Sequence, residues 1–255
     1  MTELVHLDID ASIATVTLDS PSNRNALSRR LVAELHAHLS TAVNAAQVRA
    51  VVITGTGPVF CAGGDLKEMS RTVTPDQPGL PSFADVLGLI MECPIPVVVK
   101  MNGPARAGGL GIVAAGDIAI TPATATFAFS EVKIGVAPAM IAVPCTRRMT
   151  PRSISRYFLT GETFDAATAE QVGLVSIVTD DVDSACAGIV AALRGAGPNA
   201  LRAAKELIPV ARNLELGDAL ATMEKESARL FASSEGQEGM AAFVAKRKPE
   251  WAQFD

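Results

Sequence analysis

The chain has 255 residues, of which 49% are hydrophobic and 19% charged, and carries a formal net charge of −5. That composition supports one large globular domain, or a domain with an appendage, and lacks the basic balance that nucleic acid or an anionic membrane surface selects. Four widely spaced cysteines (Cys61, Cys93, Cys145 and Cys186) form no CxxC pair, so a disulfide framework or zinc site is not expected and a reducing cytoplasm is.

The opening stretch MTELVHLDID reads as a charged strand rather than a secretory leader. No apolar run reaches the ~18 residues that a membrane span needs. LVHLDID and SIATVTLD alternate in polarity about Asp10-Ala11, a hairpin pattern. After the turn-rich SPSNRNALS, residues 27–47 carry Leu31, Leu35, Leu39 and Val43 at helical spacing. RAVVITG is a continuous apolar run, as in a strand covered on both faces. TGPVFCAGGDLKEM then turns through Gly63-Gly64 into a short helix that Asp65 can cap. Residues 71–81 are proline-rich and predict a mobile surface loop.

Helix, strand, glycine turn and helix recur through Ala115, and DIAIT and ATFAFSE predict two more strands. From Thr150 onward the pattern is helical apart from GLVSIV, and GAGP at 195–198 marks a boundary before the last helices. Strands alternating with helices predict an α/β fold. The division expected is a core over residues 1–195 and a helical region over 196–255.

Glycine costs a helix roughly 1 kcal/mol relative to alanine, so the three glycines in ARAGGLGIVAA need a reason. A dinucleotide fingerprint is one: Gly109, Gly111 and Ala114 fit G-x-G-x-x-A, although NGPARA separates them from the strand. Close packing of a helix on a sheet is a second. The third is an oxyanion site, because two strand-to-helix junctions each offer exposed backbone N–H groups at a positive helix end.

SPSNRNALS, GPVFCAGGDLKEM, NGPARAGGLGIVAAGDIAI and ATFAFSEVKIGVAP, with the tail FVAKRKPEW, occur in the order and spacing of the enoyl-CoA hydratase/isomerase (crotonase) superfamily, which the chain resembles over essentially its whole length. The resemblance implies a spiral of ββα units with a carboxy-terminal helical region that mediates trimerisation, assembling as a homotrimer or as a hexamer of two trimers. It implies a coenzyme A thioester as substrate and no metal or redox cofactor. The thioester oxygen would be held by the N–H groups of Gly64 and Gly108, each such donor lowering the barrier by ~3–4 kcal/mol. Arg24, Ala62, Asp65 and Leu66 fall where the family lines its acyl-CoA pocket. Lys246 and Lys248, flanking Arg247, would meet coenzyme phosphates of a neighbouring subunit; a solvated basic helix end is the other reading.

Family hydratases use two glutamates to position and split water. One falls on Glu131, whose apolar neighbours predict a raised pKa suited to moving protons. The other falls three residues after Gly108, on Gly111, where no carboxylate exists. The activity the resemblance implies is water addition to a 2-enoyl-CoA with Glu131 alone. Double-bond isomerisation, decarboxylase-type enolate protonation and non-catalytic acyl-CoA binding are the alternatives. Ala139 occupies the position of the dehalogenase branch's aspartate, which disfavours that chemistry and the dienoyl-CoA isomerase pattern. Glu68 is a remote stand-in for the missing carboxylate, His6, His36 and His38 read as surface or packing residues, and no G-x-S-x-G suggests a serine hydrolase. Residues 71–81 and the stretch APAMIAV (137–143) are expected to shape the acyl pocket.

Overall fold

The structure, a computed structural model, describes residues 2–71 and 79–253. Most of the 71–81 stretch expected to be a pocket-shaping loop thus lies outside the described residues.

The amino-terminal hairpin forms as predicted: β1 (Val5–Asp10) pairs antiparallel with β2 (Ile13–Leu18). Its two-residue turn is Ala11-Ser12, one position later than the sequence pattern placed it, and both residues have positive φ. That conformation matches the strand twist of a tight hairpin. Helix α1 (Arg29–Asn44) starts where Ser28 Oγ accepts from Leu31 N–H, and it buries Leu31, Val32, Leu35, Leu39 and Ala42. Next come β3 (Ala50–Gly55), α2 (Leu66–Arg71) and α3 (Phe83–Met91), the last opened by a reciprocal Ser82–Asp85 capping box. Strand β4 (Val97–Lys100) leads through the two-residue β5 (Ala105–Arg106) to α4 (Gly108–Ala115), and β6 (Ile118–Pro122) and β7 (Thr126–Ala128) follow.

Helix α5 (Ala139–Arg148) was not read from the sequence; it contains Pro144 and follows directly on Pro138. Then come α6 (Pro151–Thr160), β8 (Phe164–Asp165), α7 (Ala166–Gln171), β9 (Ile177–Thr179) and α8 (Val182–Gly195). The chain continues through α9 (Pro198–Asn213), α10 (Leu216–Ala232) and α11 (Ser234–Val244).

One sheet has the order β1-β2-β3-β4-β6-β9, parallel from β2 onward. Alternate residues serve its two faces. Val51, Ile53, Val97 and Val99 enter the main core beneath α1, whereas Ala50, Val52, Val98 and Ile120 meet Cys186 and its neighbours on α8. Burial on both faces explains the continuous apolar run of β3.

A second, smaller sheet has the order β5-β7-β8. Two isolated bridges extend it, Cys61 with Ala105 and Leu27 with Gly64. Each winding of the chain therefore places one strand in the large sheet and one short extended piece in the small ladder, in the manner of the crotonase-type spiral. Among the described residues, no helix is long and apolar enough to cross a membrane.

Candidate active site

The small ladder sets two loops side by side. Arg106 N–H donates to the Cys61 carbonyl at 3.0 Å, Phe60 N–H donates to the Pro104 carbonyl at 3.0 Å, and Ala107 N–H donates to the Ala128 carbonyl at 3.1 Å. On the outer side, Leu27 N–H donates to the Gly63 carbonyl at 2.8 Å and Asp65 N–H to the Leu27 carbonyl at 3.4 Å. Because Leu27 bonds to the residues on either side of Gly64, the Gly64 N–H is turned away from it. This N–H makes no hydrogen bond among the described residues.

The second donor sits at the start of α4. Ala107 takes φ 48°, ψ −122° and offers no capping side chain, so the Gly108 N–H at the first position of the helix is left unsatisfied. An added Cβ on Gly63 would lie 3.4 Å from the Gly108 nitrogen, which shows how closely the two loops approach. Gly109 is sterically required, since an added Cβ would stand 2.7 Å from the Cys61 carbonyl oxygen, whereas one on Gly108 would meet only side chains, at 2.6 Å from Leu27 Cδ1. The helix is buried along its length apart from Gly108. The N-terminal end of α4 carries the positive pole of its helix dipole.

Gly64 and Gly108 line a cleft of about 240 Å³ with Glu131, Ala62 and Leu66. Glu131 lies in a short 3-10 turn, Ser130–Ile134. Its Oε2 is buried and has no hydrogen-bond partner among the described residues. Burial pushes the carboxyl above the ordinary carboxylate range. Cys145 lies near enough for Glu131 to raise its thiol pKa further, after the larger effect of burial. Cys61, fully buried beneath the paired loops, has its thiol pushed up to about 12 by burial and is inert as a nucleophile at neutral pH.

The other site expectations separate from this cleft. Asp65 Oδ1 accepts from the N–H groups of Lys67 and Glu68 at 3.0 and 3.1 Å, which is the capping duty predicted for it. Glu68 Oε2 accepts from Arg29 N–H at 3.0 Å, so its carboxylate serves the start of α1 and does not replace a second catalytic acid. Arg24 is exposed at φ 60°, and its carbonyl accepts from Ala62 N–H at 3.0 Å; its backbone, rather than its guanidinium, braces the cleft wall. Lys246 and Lys248 lie beyond α11 and do not line the cleft of their own chain, while Arg247 is held by Glu238 at 2.6 Å. His6 Nε2 pairs with Asp19 at 3.0 Å, in keeping with a packing role.

The position of the absent carboxylate is filled from another helix. A Cβ on Gly111 would overlap Ile141 Cγ2 and stand 3.1 Å from Ile141 Cβ and 3.5 Å from Leu87 Cδ2. Ile141, on α5 and 3% exposed, occupies the space that a side chain at 111 would need. This is the feature that sequence reasoning missed. Its one signal was the apolar APAMIAV stretch, of which Ala137, Pro138, Ala139, Met140 and Ile141 all line the cleft.

Residues 8–254 match the family model described as enoyl-CoA hydratase/isomerase. A Mycobacterium tuberculosis protein named "Probable enoyl-CoA hydratase echA8" is 31% identical over 252 residues, covering 98% of each chain. The crystal structure of an enoyl-CoA hydratase from Shewanella pealeana superimposes with a TM-score of 0.90 at 29% identity, covering 97% of this chain and 96% of that one. The structure titled Pseudomonas aeruginosa AtuE gives a TM-score of 0.90 at 33% identity, covering 98% of this chain and 100% of the other.

Proposed function

The chain belongs to the enoyl-CoA hydratase/isomerase family, and we propose that it is an enzyme that moves a proton on an acyl-CoA thioester through an enolate, shifting a double bond. The observation that carries this reading is the single buried, unpartnered carboxylate oxygen of Glu131 in a cleft shared with two free backbone donors. The thioester carbonyl accepts from Gly64 and Gly108. Glu131, as carboxylate, takes a proton from one carbon while the electron pair moves onto the carbonyl oxygen. The protonated acid then returns the proton to a different carbon, and the carbonyl re-forms. Fixed donors favour the charged intermediate without reorganising, and one general base contributes ~10²–10⁴ in rate.

Water addition is the second reading, favoured by the printed names of the relatives. It needs a water held on the substrate's β-carbon. Among the described residues Ser130 is, besides Glu131, the only polar side chain lining the cleft, and Ile141 fills the Gly111 face. Proton transfer needs no such holder, so the geometry favours it over the hydration that the family pattern first implied.

In this account Arg24, Asp65 and Leu66 border the coenzyme, and Lys246 and Lys248 reach the phosphates of a coenzyme bound to a neighbouring subunit. Residues 196–255 form the assembly region, and the exposed Leu216, Phe231, Phe243 and Val244 support a trimer or a hexamer of two trimers. Four buried free cysteines fit a reducing cytoplasm.

Glu131→Gln tests the central role. Turnover of enoyl-CoA substrates should fall by ~10²-fold or more, with thioester affinity by calorimetry nearly unchanged. Retained turnover would remove Glu131 from the mechanism.

A further inference from the structure

Arg106 stands on β5, two residues before Gly108, and does not line the cleft. Its side chain lies against β7 instead. Nη1 donates to the Ala105 carbonyl at 2.8 Å and to the Thr126 carbonyl at 2.5 Å, and Nη2 donates to Thr126 Oγ1 at 2.8 Å. Among the described residues no carboxylate pairs with it, although it is partly buried and burial lowers its pKa. A guanidinium stays charged at neutral pH, so keeping one from water without a counter-charge is costly. What it supplies in return is a planar fork that grips the carbonyl and the hydroxyl of one residue together.

Three segments meet at this residue. Arg106 N–H donates to the Cys61 carbonyl at 3.0 Å and so holds the loop that carries Gly64. Ala107 N–H, just before Gly108, donates to the Ala128 carbonyl at 3.1 Å. Thr126 begins β7, which runs through Phe129 into the turn bearing Glu131. Strand β5 has two residues and β7 three, so the ladder between them has few bonds of its own, and the fork ties Thr126 to it twice more. Resting on the enolate reading above, we propose that Arg106 is a positioning residue: its guanidinium clamps β7 to β5 and thereby fixes Glu131 relative to the Gly64 and Gly108 donors without touching the substrate.

The test separates rate from binding. Misplacing a reacting group by about 1 Å can cost ~10²-fold in rate. Arg106→Met, and equally Arg106→Lys, which keeps the charge and loses the fork, should lower kcat for deuterium exchange into an acyl-CoA by ~10–100-fold. KM, and the Kd of saturated butyryl-CoA by calorimetry, should stay within about twofold of the wild-type values. Thr126→Val removes one acceptor at nearly constant shape; it should lower kcat less, and add nothing in combination with Arg106→Met. Full activity in Arg106→Lys, losses that simply add in the double variant, or a Kd that worsens as much as kcat falls would each overturn the clamp. Amide hydrogen exchange reads it without turnover: Phe60, Arg106 and Ala107 should lose protection in Arg106→Met. Protection lost in the variant of a protein that labels no acyl-CoA would sink the enolate reading and leave the clamp standing. Wild-type turnover with protection unchanged in the variant would do the reverse.

Discussion

Gly109→Ala probes the geometry of the paired donors without touching either one. The new Cβ would stand 2.7 Å from the Cys61 carbonyl oxygen and 2.9 Å from Cys61 Cβ, against the 3.4 Å at which ordinary contact begins. Cys61 cannot yield easily, because its carbonyl accepts from Arg106 N–H at 3.0 Å and the residue is bridged to Ala105. The start of α4 must therefore retreat from the 61–64 loop by some tenths of an ångström. Gly108 moves with the helix and Gly64 stays with the loop, so the spacing of the two N–H groups opens.

Alanine favours the helix by ~1 kcal/mol, and overpacking costs ~1–3 kcal/mol, so net destabilisation should be at most ~2 kcal/mol. That corresponds to a few degrees in Tm. Catalysis should suffer more: forfeiting part of the ~3–4 kcal/mol from one donor lowers kcat/KM by ~10–100-fold. The assay is deuterium incorporation into an acyl-CoA in deuterated buffer, alongside a thermal melt. Gly88→Ala is the control, since a Cβ there meets nothing within 4 Å and α3 should gain up to ~1 kcal/mol. A folded Gly109→Ala protein that exchanges at the wild-type rate would refute the placement of the oxyanion site.

The remaining expectations concern the carboxylate and its absent partner. Burial raises the folded-state pKa of Glu131, so its relative contribution to stability is complete below the unfolded carboxylate pKa and is lost as pH rises through the folded value. Glu131→Gln should therefore melt higher than the wild-type protein at neutral pH, with the gap closing in acid; a lower melting point at neutral pH would show the carboxylate to be satisfied. Catalysis by the ionised form makes kcat/KM rise with pH through an apparent pKa above the ordinary carboxylate range, and a profile already level at that range would contradict the desolvated environment. Gly111→Glu should lose stability and gain no hydratase activity because Ile141 fills the space, so a stable, hydrating variant would show that α5 yields.

The sheet strands and α1 were legible because their signals are local and repeated: alternation in LVHLDID, helical spacing of Leu31, Leu35 and Leu39, and the continuous run in β3. The paired glycine junctions were legible because bare backbone recurs at two strand-to-helix turns. The two-residue strands β5 and β8 were not, since they exist only through the partners they meet across the small ladder. The same holds for Ile141 over Gly111, a contact between residues thirty positions apart on two helices. Polar residues in the motifs take structural duties in the fold. Asp65 and Glu68 serve helix starts, and Arg24 contributes a carbonyl.

The most direct measurement is mass spectrometry of enoyl-CoA thioesters of several chain lengths, incubated with the protein in deuterated water. Proton transfer by Glu131 beside Gly64 and Gly108 predicts deuterium uptake and double-bond migration with no 3-hydroxyacyl product. Accumulation of the hydrated 3-hydroxyacyl-CoA, or thioesters recovered unlabelled and unmoved, would contradict it.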